Sequence, residues 1–258
     1  MKQRPFALFD LTGRTAIVTG ASRGIGLAAA TALAEAGADI VLCDLASLDD
    51  ATKQIESLGR KTLAVKVDVS SRESIRQAVA ESVRLFGKAD IIVNAAGTNL
   101  RKPATDWNEE DWAKVVNVNL RGTFFCCEEA GKQMITQQTG GKIINIASLL
   151  TAFGVPISGI VPYACSKGGI GGLTRSLAME WAKYKINVNA VGPGYISTEL
   201  TRSIHDDPTR SPMIESRIPL GRWGAPEDLK GAFVFLASRA SDYMTGQIVF
   251  VDGGWTAT

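Results

Sequence analysis

The stretch "TAIVTGASRGIG", Thr15 to Gly26, decides the fold. A β-branched apolar run reads as a short buried strand, and "TGASRGIG" turns directly from it into an amphipathic helix. Gly20 permits the tight turn, Gly24 lets backbone approach a pyrophosphate, and Gly26 lets the helix pack against the sheet, with Ser22, Arg23 and Ile25 filling the loop. The open helix N-terminus favours an anion. Asp44 closes the next apolar run, 18 residues after Gly26 (44 minus 26), near the offset at which an acid meets an adenosine ribose.

Outward from there, "DIVLCD", "TLAVKVD", "DIIVNAAG", "KIINIAS", "INVNAVGPG" and "IVFVDGG" repeat the strand signal, giving seven strands. Helical patterns alternate with them. One is "RESIRQAVAESVRLFG", with Ser70 or Ser71 as N-cap and Gly87 as stop. The order predicts a single Rossmann-type α/β domain over 1–258, a doubly wound seven-stranded parallel sheet with helices on both faces. The polar segment 195–219, carrying Pro208 and Pro212, is too long for an ordinary connection and is expected to be a substrate lid.

Composition narrows the function. A net charge of +2, from 28 basic and 26 acidic residues without a block of one sign, argues against a nucleic-acid partner. No apolar run reaches the roughly 18 residues of a membrane span, and the N-terminus carries no apolar signal segment, so a cytoplasmic protein is expected. Cys43, Cys126, Cys127 and Cys165 form no CxxC pair, and with His205 as the one histidine neither a metal site nor a disulfide is expected. Cys126 and Cys127 are expected as helix packing, His205 as a surface residue of the lid.

"PYACSK", Pro162 to Lys167, sets Tyr163 and Lys167 at i and i+4, on one face of a helix. Lowering a phenol from about 10 to about 7 takes roughly 4 kcal/mol, about what an ammonium 4 Å away supplies at an effective dielectric of 20. Tyr163 would then be the acid/base that histidine is not. Asp44 favours NAD over NADP, because a 2′-phosphate near its carboxylate meets about 6 to 8 kcal/mol of unscreened repulsion. Arg23 argues the other way.

With these residues in order, the chain resembles a short-chain dehydrogenase/reductase of the compact type along almost its whole length. The resemblance implies an adenine contact at Asp68 and Val69, and a "NNAG" strand end departing here to Asn94-Ala95-Ala96-Gly97, with Asn94, Ala96 and Gly97 beside the cofactor. It implies Asn119, in "NVNLRG", holding a relay water, and Ser148, in "NIAS", bonding the substrate oxygen. In "PGYIST" it implies Pro193, Gly194, Ile196 and Thr198 at the nicotinamide. Tyr163 and Lys167 serve both catalysis and cofactor. Ser148 precedes Tyr163 by 15 residues (163 minus 148), about two more than the resemblance leads one to expect, so "SLLTAFGVPISGIVPY" is read as carrying an insertion; Thr151 is the rival hydroxyl. "AAGTNLRKPATDW", "IPLGRWGAPEDL" and "VDGGW" are similar to the gluconate 5-dehydrogenase and 2-dehydro-3-deoxy-D-gluconate 5-dehydrogenase branch, which implies a sugar-acid substrate and makes Arg101 the carboxylate partner. A homotetramer is also implied, with helices around 112–134 and 163–181 in one dimer contact. The alternatives are a 3-oxoacyl thioester reductase, a generic polyol dehydrogenase, a sugar-nucleotide epimerase and a dinucleotide-binding regulator without turnover.

Overall fold

A computed structural model describes residues 7–152 and 159–257. All seven expected strands form: β1 (Thr15–Thr19), β2 (Asp39–Asp44), β3 (Thr62–Lys66), β4 (Ile91–Asn94), β5 (Gly141–Ile146), β6 (Ile186–Pro193) and β7 (Ile248–Val251). They make one parallel sheet in the order β3-β2-β1-β4-β5-β6-β7. The order reverses between β1 and β4, and a ligand crevice opens outside the carboxyl ends of the strands at such a point.

The side-chain alternation of each strand feeds two cores. From β1, Ala16 and Val18 join the core under α1 (Gly24–Glu35), α2 (Asp49–Ser57) and α9 (Lys230–Ala237). Ile17 faces the opposite core, built with α3 (Arg72–Phe86), α5 (Thr123–Gln137) and α6 (Val161–Trp181). Helices on both faces explain why the strands read as continuous apolar runs rather than alternating ones. The N-cap of α3 is Ser71, whose hydroxyl accepts from Ser74 N at 3.4 Å, and Gly87 ends that helix at φ +77°.

Two departures from regular helix matter. Between α4 (Glu109–Val116) and α5 the chain passes through a π-helical stretch, Asn117–Gly122, a widening that exposes backbone and recurs at functional sites. The segment 195–219 is not irregular. It holds a tight turn, Glu199–Thr201, then α7 (Arg202–His205) and α8 (Arg210–Glu215), tied down by buried Ile204, Ile214 and Ile218 against Tyr195, Trp223 and Trp255. No helix among the described residues is long and apolar enough to cross a membrane.

A polar ladder crosses the second core. Asn94 Nδ2 donates to Asn145 Oδ1 at 2.8 Å and to Cys127 Sγ at 3.2 Å, and Asn145 Nδ2 donates to Thr174 Oγ1 at 3.0 Å. Each stranded buried polar group costs about 1–3 kcal/mol. Asn145→Ala strands Thr174 Oγ1 and removes one of the two acceptors of Asn94 Nδ2, whose bond to Cys127 Sγ remains, so chemical denaturation is expected to register a loss of about 1–3 kcal/mol. A loss within error of zero would mean that the ladder contributes nothing.

Candidate active site

The glycine turn has the close contacts that its sequence demands. A Cβ on Gly20, at φ +67°, would lie 2.8 Å from the backbone of Ala96, and one on Gly26 would lie 2.0 Å from the Gly20 carbonyl oxygen. Ala96 N donates to Thr19 Oγ1 at 3.3 Å, joining the ends of β1 and β4. Arg23 occupies the N-cap of α1 without a side-chain hydrogen bond to it, and no acidic residue follows in the first turn. The first-turn N–H groups of α1 therefore face the crevice without a side-chain acceptor, an arrangement that fits a pyrophosphate.

Asp44 reaches across to this loop, accepting from Ser22 N and Ala46 N, each at 3.0 Å. Ile25 packs into the core beneath. Asp68 accepts from Ser70 N at 2.8 Å and Ser70 Oγ at 2.7 Å, and Val69 beside it is buried. On the far bank, Gly194 N bonds Val251 O at 3.0 Å after Pro193. Ile196 is buried and bridges to Gly224, and Thr201 Oγ1 donates to Ile196 O at 2.6 Å beside Thr198. These residues fit a dinucleotide laid across the switch point.

Asn94, expected beside the cofactor, directs its side-chain N–H groups into the buried ladder, which leaves its main chain and Oδ1 for a contact at the end of β4. Asn119, in the π-helical stretch, spends its amide on the loop after β4: Oδ1 accepts from Thr98 N at 2.8 Å, and Nδ2 donates to Thr98 O at 2.9 Å and Ser166 Oγ at 3.3 Å. Gly97 packs against it, where a Cβ would lie 3.5 Å from Oδ1. The relay-water role that the resemblance implies for Asn119 is compatible with these bonds. Its observed work is to fasten the segment leading to Arg101.

Ser148, Tyr163 and Arg101 line one cavity, together with Ile160, Tyr195 and Ile204. The rival hydroxyl is committed elsewhere: Thr151 Oγ1 donates to Lys167 O at 3.1 Å and accepts from Ser148 N at 3.2 Å, so it braces the serine. Of the expected insertion, 153–158 lie outside the described residues; beside them Gly159 O accepts from Lys102 N at 3.0 Å. Lys102 pairs with Asp111.

The electrostatics differ from the sequence expectation. Burial pushes the Tyr163 phenol up to about 12, against opposite pulls from a Ser148 hydrogen bond and the Arg101 charge. The Lys167 ammonium does not cancel that burial. Its Nζ lies 5.7 Å from the tyrosine ring centroid and donates to Ile146 O at 2.6 Å, while burial lowers its own pKa to about 8. Arg101 is exposed as a whole, yet its guanidinium is shifted down by partial burial and by Arg210, with the phenols of Tyr195 and Tyr163 opposing. Burial thus acts in one sense on all three groups, raising the phenols of Tyr163 and Tyr195 and lowering the lysine, because desolvation penalises each charged form.

Sequence reasoning missed Tyr195, Leu149 and Ile204 as cavity walls. Tyr195 stands within the quoted "PGYIST", and only its neighbours had been singled out. Its hydroxyl is buried without a partner among the described residues. Cys126 and Cys127 are buried in α5 with thiols shifted strongly upward by desolvation, as packing residues are. His205 is half-exposed, with Nδ1 3.0 Å from Asp206 Oδ1.

A family model described as enoyl-(acyl carrier protein) reductase matches residues 20–256. The 2-dehydro-3-deoxy-D-gluconate 5-dehydrogenase of Escherichia coli (strain K12) is 46% identical over 251 residues, 96% of this chain and 98% of that one. The gluconate 5-dehydrogenase of Gluconobacter oxydans (strain 621H) is 39% identical over 253 residues, 97% of this chain and 98% of that one. Among solved structures, a gluconate 5-dehydrogenase from Burkholderia cenocepacia J2315 in complex with NADP and tartrate superposes with a TM-score of 0.93 at 39% identity, covering 99% of this chain and 100% of that one.

The Lys167 shift has a signed consequence for stability. Below pH 8 both folded and unfolded chains carry the proton, and the fold bears the full cost of a buried ammonium. Between about 8 and 10.5 the unfolded chain holds more protons than the folded one, so stability rises with pH. Urea denaturation from pH 7.5 to 10 should show the wild type gaining on Lys167→Met, by up to about 3 kcal/mol over the whole window. Parallel curves would refute a buried, depressed Lys167.

Proposed function

The chain belongs to the short-chain dehydrogenase/reductase family, and from that premise we propose that it interconverts the C5 alcohol and ketone of a six-carbon sugar acid of the gluconate or 2-dehydro-3-deoxy-gluconate kind. The coarser statement stands by itself: it is an oxidoreductase acting on CH–OH groups with a nicotinamide dinucleotide. The observation carrying the finer reading is that Arg101 shares one cavity with Ser148 and Tyr163. A guanidinium at one end and a hydroxyl pair at the other suit a substrate with a carboxylate distant from its reacting carbon.

In the proposed mechanism the Ser148 hydroxyl donates to the substrate oxygen and holds it beside the Tyr163 phenol. For oxidation Tyr163, as phenolate, takes the alcohol proton; for reduction, as phenol, it returns one to the developing alkoxide. When bound, the nicotinamide would supply the hydride acceptor for oxidation and the hydride donor for reduction, and its oxidised, positively charged ring would favour the Tyr163 phenolate. Lys167 adds the second positive charge, its position fixed by the Ile146 carbonyl. Asn119 is a positioning residue, holding Thr98 and through it the chain to Arg101. Segment 195–219 is the proposed lid, contributing Leu200, Thr201 and Ile204 to the cavity wall. We further propose a cytoplasmic homotetramer. Trp112, Phe124 and Val161, large apolar side chains exposed on α4, α5 and α6, supply one contact, and native mass measurement would expose a monomer.

Activity on a panel of sugar acids and neutral polyols tests the substrate. Tyr163→Phe should lower turnover by about 10² or more on every member while sparing cofactor binding. Arg101→Ala should raise KM for the acids far more than for the polyols, by about 2 to 5 kcal/mol if the ion pair is desolvated. Equal losses on charged and neutral substrates would leave a generic polyol dehydrogenase.

Within the cofactor class we propose NAD, on the carboxylate of Asp44 held against the glycine loop. The NADP in the Burkholderia structure weighs against that preference. Asp44→Ala should lower kcat/KM with NAD and raise it with NADP. An unmoved ratio would mean that Asp44 does not face the ribose.

A further inference from the structure

Arg23 leaves the chain one residue after Ser22, whose main-chain N–H is bound to Asp44 Oδ2 at 3.0 Å. The guanidinium nevertheless turns the other way. Its Nη1 donates to Glu199 Oε2 at 2.7 Å, in the turn Glu199–Thr201 that opens segment 195–219. The two banks also meet close by, since a Cβ on Gly24 would come 3.6 Å from Thr198 Cγ2. Arg23 thus springs from the loop that Asp44 holds, while its charge is paired with Glu199 on the opposite bank. Its side chain is 67% exposed, which leaves it room to exchange partners.

We infer that Glu199 is a cofactor-specificity residue: by holding Arg23 it withholds the arginine of the glycine loop from the 2′-phosphate that distinguishes NADP from NAD. The inference rests on the dinucleotide reading of the crevice and not on the identity of the substrate. A 2′-phosphate carries about −1.5 to −2 charges at neutral pH and meets repulsion from Asp44 unless a guanidinium neutralises it. Arg23 starts beside that position, but reaching it breaks the pair with Glu199. Both partners are exposed, so the exchange is screened by salt and the penalty is small. Asp44 acts by repulsion and Glu199 by competition, two devices of the same sign.

Calorimetric titration of the full-length protein separates this from a mere latch, using NAD, NADP, 5′-AMP and adenosine 2′,5′-bisphosphate as probes. In Glu199→Gln, which keeps size, and Glu199→Ala, which removes the partner, the two 2′-phosphate ligands should bind about 2- to 5-fold tighter at low salt, with the other two unchanged. The gain should shrink with added salt and vanish when Arg23→Ala is combined with either variant. Equal gains for all four ligands would make the pair a closure between the banks and overturn the inference. So would no gain, a gain surviving Arg23→Ala, or failure of the wild type to bind any of the four. Because no substrate is present, loss of the sugar-acid reading in the panel assay leaves this result standing, and the reverse holds too.

Discussion

The rest of the crevice depends on one close approach, that of the Gly20 turn to the backbone of Ala96. The ends of β1 and β4 lie so near that a Cβ at Gly20 would come 2.8 Å from Ala96. At this place the sheet reverses its winding, and the chains leaving β1 and β4 diverge to opposite sides. A bulkier turn would prise the two strand ends apart. With glycine there, α1 begins directly under the crevice, Asp44 can reach Ser22, and the loop after β4 can be fastened to Asn119. The proposed pyrophosphate turn and the loop leading to Arg101 thus share a single steric origin.

Burial sets the charge state of Tyr163 and Lys167. Buried, Tyr163 resists ionisation and Lys167 sheds part of its affinity for a proton, so the two do not form a ready phenolate–ammonium pair without cofactor. The same burial strengthens every charge interaction once an additional positive charge arrives. In the proposed mechanism Tyr163 would stay protonated until the cofactor is in place, and the protein would not carry a costly phenolate through the rest of the cycle.

The strands were legible because a parallel sheet covered on both faces leaves its signature in adjacent apolar residues, as "DIVLCD" and "KIINIAS" show. Ser71 and Gly87 were legible because caps are local chemistry. Tyr163 and Lys167 were legible as a pair, since helical spacing fixes a shared face, but their protonation was not: desolvation depends on what packs above them, and spacing carries no record of that. The direction of the Asn94 side chain was not legible for a related reason. Its position at the end of β4 is local, whereas the partner that captures its amide, Asn145, comes from a neighbouring strand. The short helices within 195–219 span too few residues to display a period.

The two ends of the cleft are built differently, and this bears on how substrates diverge among relatives. Ser148, Tyr163 and Lys167 stand on a strand end and a 21-residue helix, each braced by main-chain bonds that any substrate would leave intact. Arg101 stands in a connection held by Thr98 and Gly159, in a cavity whose wall includes Tyr195, Leu200 and Ile204, with Trp223 and Trp255 packed against Tyr195. On the proposed reading, substitutions at that second end would alter the shape and charge offered to a substrate without displacing the hydroxyl pair, whereas substitutions at the first end would disturb the sheet itself. Relatives named for gluconate and for 2-dehydro-3-deoxy-D-gluconate both match over nearly the whole chain. Their shared substrate carbon and differing carbons 2 and 3 are what a rigid reacting end joined to an adjustable recognition end would produce.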